Sequence, residues 1–140
     1  MTNIAGKYAA LGIIVLDQST KYAARALLDI PLNITSFFSL QLIQNTGASF
    51  GIFQGNNFLL SVAGILIIGG LIYYVWKEKP GKELIFYIMI IAGALSNLID
   101  RIVYGAVTDF IYFNFWPAFN IADAAITLGV IGLLFTYVRS

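Results

Sequence analysis

The sequence of 140 residues contains neither cysteine nor histidine. Without cysteine, disulfides, thiol nucleophiles and thiolate metal ligands are excluded. Without histidine, Ser-His and Cys-His catalysis and histidine-ligated zinc are excluded as well. An enzyme of this composition must work with carboxylates, lysine, tyrosine, serine or backbone groups, and we expect it to use no cofactor and no metal.

Charge is also scarce. Charged residues make up 11% of the chain, whereas a soluble domain carries about 25%. Hydrophobic residues make up 59%, and the mean hydropathy is +0.84. The net charge of +1 provides no broad basic field, so we expect no nucleic-acid partner. The composition indicates an integral membrane protein.

Four apolar stretches approach the roughly 20 residues that span a bilayer core. They cover about residues 4–24, 58–76, 84–101 and 120–138. We therefore predict one mainly α domain over residues 1–140, with four transmembrane helices and a small extracytoplasmic β-sheet or flap.

The first stretch has an alternative interpretation. Lys7, the apolar run 9–16 and Ala24-Arg25-Ala26 resemble a secretory signal peptide with a cleavage site. Cleavage there would discard Asp17 and Lys21, which the motifs below require.

The orientation follows from the short loops. The densest group of lysines lies in the loop Lys77–Glu83, and short loops rich in Lys and Arg stay in the cytoplasm. With four spans, both termini share that side, and residues 25–57 and 102–119 lie outside.

The two outer segments carry patterns typical of strands. Residues 38–42 alternate with period two, residues 45–47 indicate a turn, and residues 50–53 suggest a second short strand. Val107, Asp109, Ile111, Phe113 and Phe115 occupy alternate positions in the second outer segment, as an extended segment would have them. We expect these segments to form a small sheet on the outer membrane surface.

Polar residues gather at the same predicted face. Four aspartates and three asparagines from separate segments lie there: Asp17, Asn45, Asn97, Asp100, Asp109, Asn120 and Asp123. Any one of them alone is typical of a helix end in the headgroup region. Ionisable groups in membrane segments often mark functional sites, and the convergence of these residues favours such a site.

Two of the aspartates have a cation close in sequence. Asp17 has Lys21 at i+4, the favourable order for an ion pair on a helix. Asp100 adjoins Arg101, which we take as its partner. We therefore expect both acids to be ionised and structural.

Asp109 and Asp123 differ, because residues 102–138 contain no Lys or Arg. Two neighbouring carboxylates without countercharges do not both ionise easily, so they share a proton. Aspartic proteases use this arrangement. One carboxylate takes a proton from water while the protonated one polarises the scissile carbonyl.

The same residues lie in five ordered motifs that closely resemble those of the bacterial lipoprotein signal peptidases, or signal peptidase II. The motifs are Asp17-Gln18-Ser19-Thr20-Lys21 (DQxxK), Asn45-Thr46-Gly47-Ala48-Ser49-Phe50 (NxGxxF), Gly93-Ala94-Leu95-Ser96-Asn97-Leu98-Ile99-Asp100-Arg101 (GAxxNxxDR), Val107-Thr108-Asp109-Phe110 (VxDF) and Phe119-Asn120-Ile121-Ala122-Asp123 (FNxAD).

The resemblance implies an aspartic endopeptidase of the bacterial cytoplasmic (inner) membrane, with its active site at the outer face. It would remove the signal peptide from prolipoproteins, cutting before a cysteine that carries diacylglycerol. Its partners would be these prolipoproteins, membrane lipids and cyclic peptide inhibitors of the globomycin type.

The resemblance also implies roles for individual residues. The catalytic pair would be Asp109 and Asp123, in agreement with their lack of local cations. The substrate-binding residues would be Asn45, Gly47, Asn97, Arg101 and Asn120. The structural supports would be Asp17, Lys21 and Asp100.

The sequence departs from the family pattern in two places. Ser96 stands where the family usually has glycine, and its small size should preserve close helix packing. The stretch between Asp109 and Asp123 is short, which bears on the size of the second outer segment.

Two other classes of function fit part of the pattern. A Ser-Lys membrane signal peptidase would pair Lys21 with Ser19, Ser49 or Ser96, but Asp109 and Asp123 would then have no role. A transport or structural subunit would also contain polar membrane residues. However, a proton path needs relays across the bilayer, whereas these acids stop at one face.

Overall fold

The computed structural model describes residues 4–47 and 53–138. Four helices and four strands make up this part of the chain. The helices are α1 (Ile4–Leu27), α2 (Asn57–Glu78), α3 (Leu84–Tyr104) and α4 (Ile121–Val138). The strands are β1 (Leu32–Asn33), β2 (Phe38–Asn45), β3 (Val107–Phe113) and β4 (Trp116–Phe119).

Among the described residues, three helices, α2, α3 and α4, are long and apolar enough to cross a membrane. The prediction of a mainly α membrane protein is confirmed to that extent. The helix α1 has 24 residues but carries more charge than the other three. Two of its charged residues, Asp17 and Lys21, are 0% exposed, so they face the other elements.

The helix α3 forms the centre of the bundle and packs against α1, α2 and α4. Glycine makes its contact with α4 close. A Cβ on Gly93 would lie 2.5 Å from the backbone oxygen of Ala122, and one on Gly129 would lie 2.8 Å from the oxygen of Phe86. Small residues of this kind let membrane helices approach closely.

The strands form one antiparallel sheet in the order β1-β2-β3-β4. The predicted strand at residues 38–42 is confirmed and extends to Asn45, which pairs with Val107. The alternating segment that begins at residue 107 is strand β3 up to Phe113, and the chain then turns into β4.

The predicted turn at residues 45–47 is present, because the Gly47 backbone N–H donates to Asn45 Oδ1 at 3.0 Å. Residues 50–52 of the second predicted strand lie outside the described residues. Phe53, the last residue of that prediction, lies in a turn with a φ of 57°.

The chain passes from α3 through β3 and β4 into α4 in a short distance. Gly105, with a φ of 73°, ends α3 in the left-handed conformation that glycine adopts without strain. The sheet therefore lies against the end of the bundle at which α3 finishes and α4 begins, and it positions Asp109 there.

Candidate active site

A buried cluster of charges joins α1 to α3. Asp17, Lys21 and Asp100 are all 0% exposed. Lys21 Nζ lies 2.7 Å from Asp17 Oδ2 and 3.4 Å from Asp100 Oδ2. Arg25 Nη1 lies 3.6 Å from the same Asp100 oxygen. Asp17 and Asp100 therefore each lie close to a cation, which offsets the free-energy cost of burying their charges.

The expected pairing of Asp100 with Arg101 is wrong. Consecutive residues on a helix do not face each other, so Asp100 turns toward α1 while Arg101 turns away from it. Arg101 Nη2 donates to the Gly47 carbonyl at 2.7 Å, and Nη1 donates to Asn57 Oδ1 at 3.3 Å. Arg101 therefore links α3 to the start of α2 and to the turn at residues 45–47.

Asp17 also holds the start of α4. Its Oδ1 accepts the Ala122 backbone N–H at 2.8 Å, and its Oδ2 accepts the Ser96 hydroxyl at 2.7 Å. Gln18 Nε2 donates to Ser96 Oγ at 3.0 Å and to Asp100 Oδ1 at 3.1 Å. Ser96 is therefore more than a small packing residue, since its hydroxyl connects α1 to α3.

Arg25 and Thr108 also support the site, although the sequence did not indicate this role for them. The Thr108 backbone N–H donates to Asp100 Oδ2 at 2.9 Å, and its hydroxyl accepts from Arg25 Nη1 at 2.7 Å. The Arg25 guanidinium also lies 4.1 Å from the centre of the Tyr104 ring. These contacts fix the residue before Asp109, and only the position of Thr108 inside the VxDF motif pointed to it.

Asn97 connects the buried cluster to Asp123. Its Oδ1 accepts from Lys21 Nζ at 2.9 Å and from Asn120 Nδ2 at 3.1 Å. Its Nδ2 donates to Asp123 Oδ1 at 2.8 Å. Because lysine has donors and no acceptor, the contact with Lys21 settles which end of the amide faces Asp123.

Asn120 holds both members of the predicted catalytic pair. It precedes α4, and its Oδ1 accepts the Asp123 backbone N–H at 2.8 Å while its own backbone N–H donates to Asp123 Oδ2 at 3.2 Å. This reciprocal pattern is that of a capping box. Its Nδ2 donates to Asp109 Oδ1 at 2.8 Å. One buried amide therefore contacts a residue of β3 and a residue of α4.

Asp109 is 1% exposed, and Asn45 Nδ2 donates to its Oδ2 at 2.9 Å. Burial, and then the nearby negative charge of Asp123, raise the pKa of Asp109 to about 7. Within the described residues, neither Asp109 nor Asp123 takes part in an ion pair.

A cavity of about 460 Å³ opens beside this pair. Five of the predicted site residues line it: Asn45, Gly47, Asn97, Arg101 and Asp123. Its remaining walls come from strand β4 and from apolar faces of α2 and α4, among them Leu60, Ile67 and Ile126. Asp109 and Asn120 lie behind the polar wall. The cavity therefore combines a polar end with an apolar side.

This arrangement does not favour the alternative of a Ser-Lys signal peptidase. Lys21 Nζ contacts oxygens of Asp17, Asn97 and Asp100, and the Ser96 hydroxyl donates its hydrogen to Asp17. Ser19 is exposed, and Ser49 lies outside the described residues.

A bundle of apolar helices that holds one buried and one partly buried carboxylate beside a half-apolar cavity fits a membrane-embedded peptidase of the aspartic type. The comparisons with known proteins place the chain more closely. The model of the signal peptidase II family matches residues 9–139.

Curated relatives agree with this match. The lipoprotein signal peptidase of Thermodesulfovibrio yellowstonii is 41% identical over 133 residues, covering 89% of this chain and 87% of the relative. That of Clostridium novyi is 41% identical over 137 residues, covering 90% and 92%. The chain belongs to the signal peptidase II family and is a peptidase.

Solved structures also match. Two structures described as bacterial membrane enzymes determined by the in meso method superpose with TM-scores of 0.90 and 0.87. They are 28% and 29% identical in sequence, and each match covers 99% of this chain and 90% or 96% of the other. The similarity extends over the helices and the sheet.

Proposed function

We propose that this protein removes the signal peptide from diacylglyceryl-modified prolipoproteins, with Asp109 and Asp123 as its catalytic pair. The observation that carries the proposal is the hydrogen bonding of Asn120 to both acids. These bonds join two carboxylates at the polar end of a cavity with an apolar side, and neither carboxylate forms an ion pair with any residue that the structure describes.

In the proposed reaction Asp123 is the base and Asp109 is the acid. Asp123 accepts N–H groups at both oxygens and lies in the first turn of α4, where negative charge is favourable. It takes a proton from water as the water oxygen bonds to the scissile carbonyl carbon. Asp109, whose raised pKa of about 7 favours the protonated form, donates its hydrogen bond to the carbonyl oxygen.

Collapse of the tetrahedral intermediate completes the reaction. The proton that Asp123 has accepted passes to the leaving nitrogen, and the C–N bond breaks. Asp109 lies behind the cavity wall, where Asn45, which lines the cavity, donates to its Oδ2, so the Asn45 amide has to move aside as the substrate carbonyl enters. Asn45 is therefore proposed to change its position when substrate enters the site, as well as to bind substrate.

The substrate would lie across both parts of the cavity. The remaining polar groups proposed to bind the peptide backbone are Gly47, Asn97 and Arg101, which line the polar end. The apolar faces of α2 and α4 suit the acyl chains of the lipidated cysteine, because apolar surface is favourable next to hydrocarbon. A cyclic peptide inhibitor of the globomycin type would occupy the same cavity.

The proposed topology has four spans in one domain, residues 1–140, in the bacterial cytoplasmic membrane. The charged residues of α1 are compatible with a transmembrane helix, because Asp17 and Lys21 are 0% exposed and form an ion pair with each other. Both termini would be cytoplasmic, and the sheet and active site would face outside. The lysines of the loop Lys77–Glu83 support this orientation.

Purified protein in liposomes tests the substrate class. The same precursor peptide is supplied with and without diacylglycerol on its cysteine, and mass spectrometry locates the cut. We expect cleavage immediately before the cysteine in the modified peptide alone. Equal cleavage of the unmodified peptide, or a cut elsewhere, would contradict the proposed specificity.

A further inference from the structure

A second groove, of about 640 Å³, lies between α1, α2 and α3. It shares no wall residue with the cavity of the active site. Its floor is apolar and includes Ala10, Ile72, Ile88 and Ile91. The groove runs along the helices from the start of α1 and the end of α2, and thus from the end of the bundle opposite the sheet.

Two exposed lysines are among the residues that line this groove. Lys7 lies in the first turn of α1, and Lys79 is the C-cap of α2 with a φ of 47°. Both are exposed, and neither forms an ion pair with any residue that the structure describes. The neighbouring Lys77, in contrast, lies 3.5 Å from Glu78 Oε1.

The position of these cations suits a particular ligand. Trp76 lines the groove beside them, and tryptophan belts mark the membrane–water interface. Basic pockets between membrane helices at that level bind anionic lipid headgroups. The apolar floor below the two ammonium groups matches an acyl chain that descends from such a headgroup.

We propose that this groove binds one anionic phospholipid, with its phosphate between Lys7 and Lys79 and an acyl chain along the floor formed by Ala10, Ile72 and Ile88. The site lies apart from the active-site cavity and does not depend on the identity of the peptide substrate. A bound lipid would connect α1 and α2, which meet mainly through α3, and would stabilise the bundle.

The test uses purified full-length protein in a neutral detergent. Phosphatidylglycerol, phosphatidylcholine with the same acyl chains, or inorganic phosphate is added, and the thermal unfolding midpoint is followed with concentration. We expect phosphatidylglycerol to raise the midpoint at lower concentration than phosphatidylcholine, and inorganic phosphate to have no effect. Native mass spectrometry should show one retained lipid.

Variants locate the site. The double variant Lys7→Gln/Lys79→Gln should weaken the apparent affinity for phosphatidylglycerol by about 30-fold, the effect of two lysines near an anionic surface. Lys82→Gln is the matched control, because it removes a charge from the same loop without lining the groove. Ala10→Phe should also weaken binding by filling the floor while it leaves both lysines in place.

Three outcomes would overturn the proposal. Equal affinity for the two phospholipids would mean that the headgroup charge is not recognised. Equal weakening by Lys82→Gln and by the double variant would place the effect in the general charge of the loop. Stabilisation by inorganic phosphate alone would indicate an anion site without a lipid.

Discussion

The Asn97 amide is an example of a buried side chain whose orientation is decided by its neighbours. Its oxygen accepts from Lys21 Nζ and Asn120 Nδ2, which leaves its nitrogen to donate to Asp123. Lysine offers only donors, so the amide has no reason to turn over. Lys21, which is 76 residues from Asn97 in sequence, thereby orients the Asn97 amide nitrogen toward the Asp123 carboxylate.

Replacing Asp17 by alanine should mainly destabilise the protein. The change leaves Lys21 buried without its partner at 2.7 Å and the Ala122 N–H and Ser96 hydroxyl without an acceptor. Breaking a buried ion pair in this way costs about 3–5 kcal/mol. Thermal unfolding in detergent measures the effect, and activity per folded molecule should change much less than the yield of folded protein.

The matched control for this prediction is Asp29→Ala, since Asp29 is an exposed acid between α1 and β1. It should leave the unfolding midpoint unchanged. An Asp17→Asn variant that keeps full stability but loses all turnover would show that Asp17 has been assigned the wrong role.

The raised pKa of Asp109 leads to a prediction for the pH dependence of activity. Burial and the charge of Asp123 raise this pKa to about 7, so the protonated acid is lost as the pH rises through that value. The value of kcat/KM should therefore fall on the alkaline side with a midpoint near pH 7, and on the acid side as Asp123 becomes protonated. A rate that keeps rising to pH 9 would contradict the assignment.

The same shift affects stability with a definite sign. The pKa of Asp109 rises from 3.8 to about 7 on folding, so between these values the folded state binds more protons than the unfolded state. The contribution of Asp109 to stability is therefore present at low pH and lost as the pH rises through that window.

At the scale of single residues, contacts within one helix could be predicted from the spacing of the residues, whereas contacts between helices could not. The pair Asp17–Lys21 follows from i,i+4 geometry. The bond from Ser96 to Asp17 joins residues 79 positions apart and depends on how α1 packs against α3. The mistaken pairing of Asp100 with Arg101 came from adjacency in sequence, which on a helix places two side chains in different directions.

At the scale of elements, the contact between α3 and α4 sets the geometry of the site. A Cβ on Gly93 would meet the backbone oxygen of Ala122 at 2.5 Å, and backbone cannot move aside as a flexible side chain can. Asn97 follows Gly93 by one turn, and Asp123 follows Ala122 directly. The distance from Asn97 to Asp123 therefore depends on the glycine.

Replacing Gly93 by alanine should separate α3 from α4 and lower turnover strongly, because the hydrogen bond from Asn97 to Asp123 is broken. Gly12→Ala is the matched control, since a Cβ on Gly12 would meet no atom within 4 Å. In that helix interior alanine should stabilise by about 0.5–1 kcal/mol. Steady-state kinetics and thermal unfolding of the two variants check this, and equal activity would contradict it.

The helix bounds were predicted to within a few residues because each helix is a long stretch in which apolar residues predominate. The predicted span at 84–101 ends at Tyr104, where Gly105 stops the helix. The strand β4 was missed, because its four residues include Pro117 and show no alternating pattern. The register shift between Leu40 and Ile43 was also outside the reach of the sequence, since it depends on how β2 meets β3.

At the scale of the whole molecule, charge separates the two ends of the bundle. The end with the sheet holds the buried acids, and the other end holds the lysines of the loop after α2. This distribution was visible in the sequence once the spans were placed. The shape and volume of the two cavities were not, because both are formed between elements that are distant in sequence.

The absence of cysteine makes the proposed topology easy to test, because each introduced cysteine is a unique label. Gly81→Cys should be protected from an impermeant thiol reagent in intact cells. Gln54→Cys and Asn114→Cys, both at exposed positions that the proposed topology places outside, should react. All three should react in opened membranes, and the reverse pattern in intact cells would place the active site on the cytoplasmic side.

The central claim, that Asp109 and Asp123 together hydrolyse the peptide bond, is tested most directly by the turnover of Asp109→Asn and Asp123→Asn on a lipidated precursor. With the unfolding midpoint retained, each should lower kcat by about 10²–10⁴-fold, the usual contribution of a general acid or base. The control Asp29→Asn should cleave at the normal rate. A folded Asp109→Asn or Asp123→Asn enzyme with turnover close to that of the unmodified protein would contradict the account.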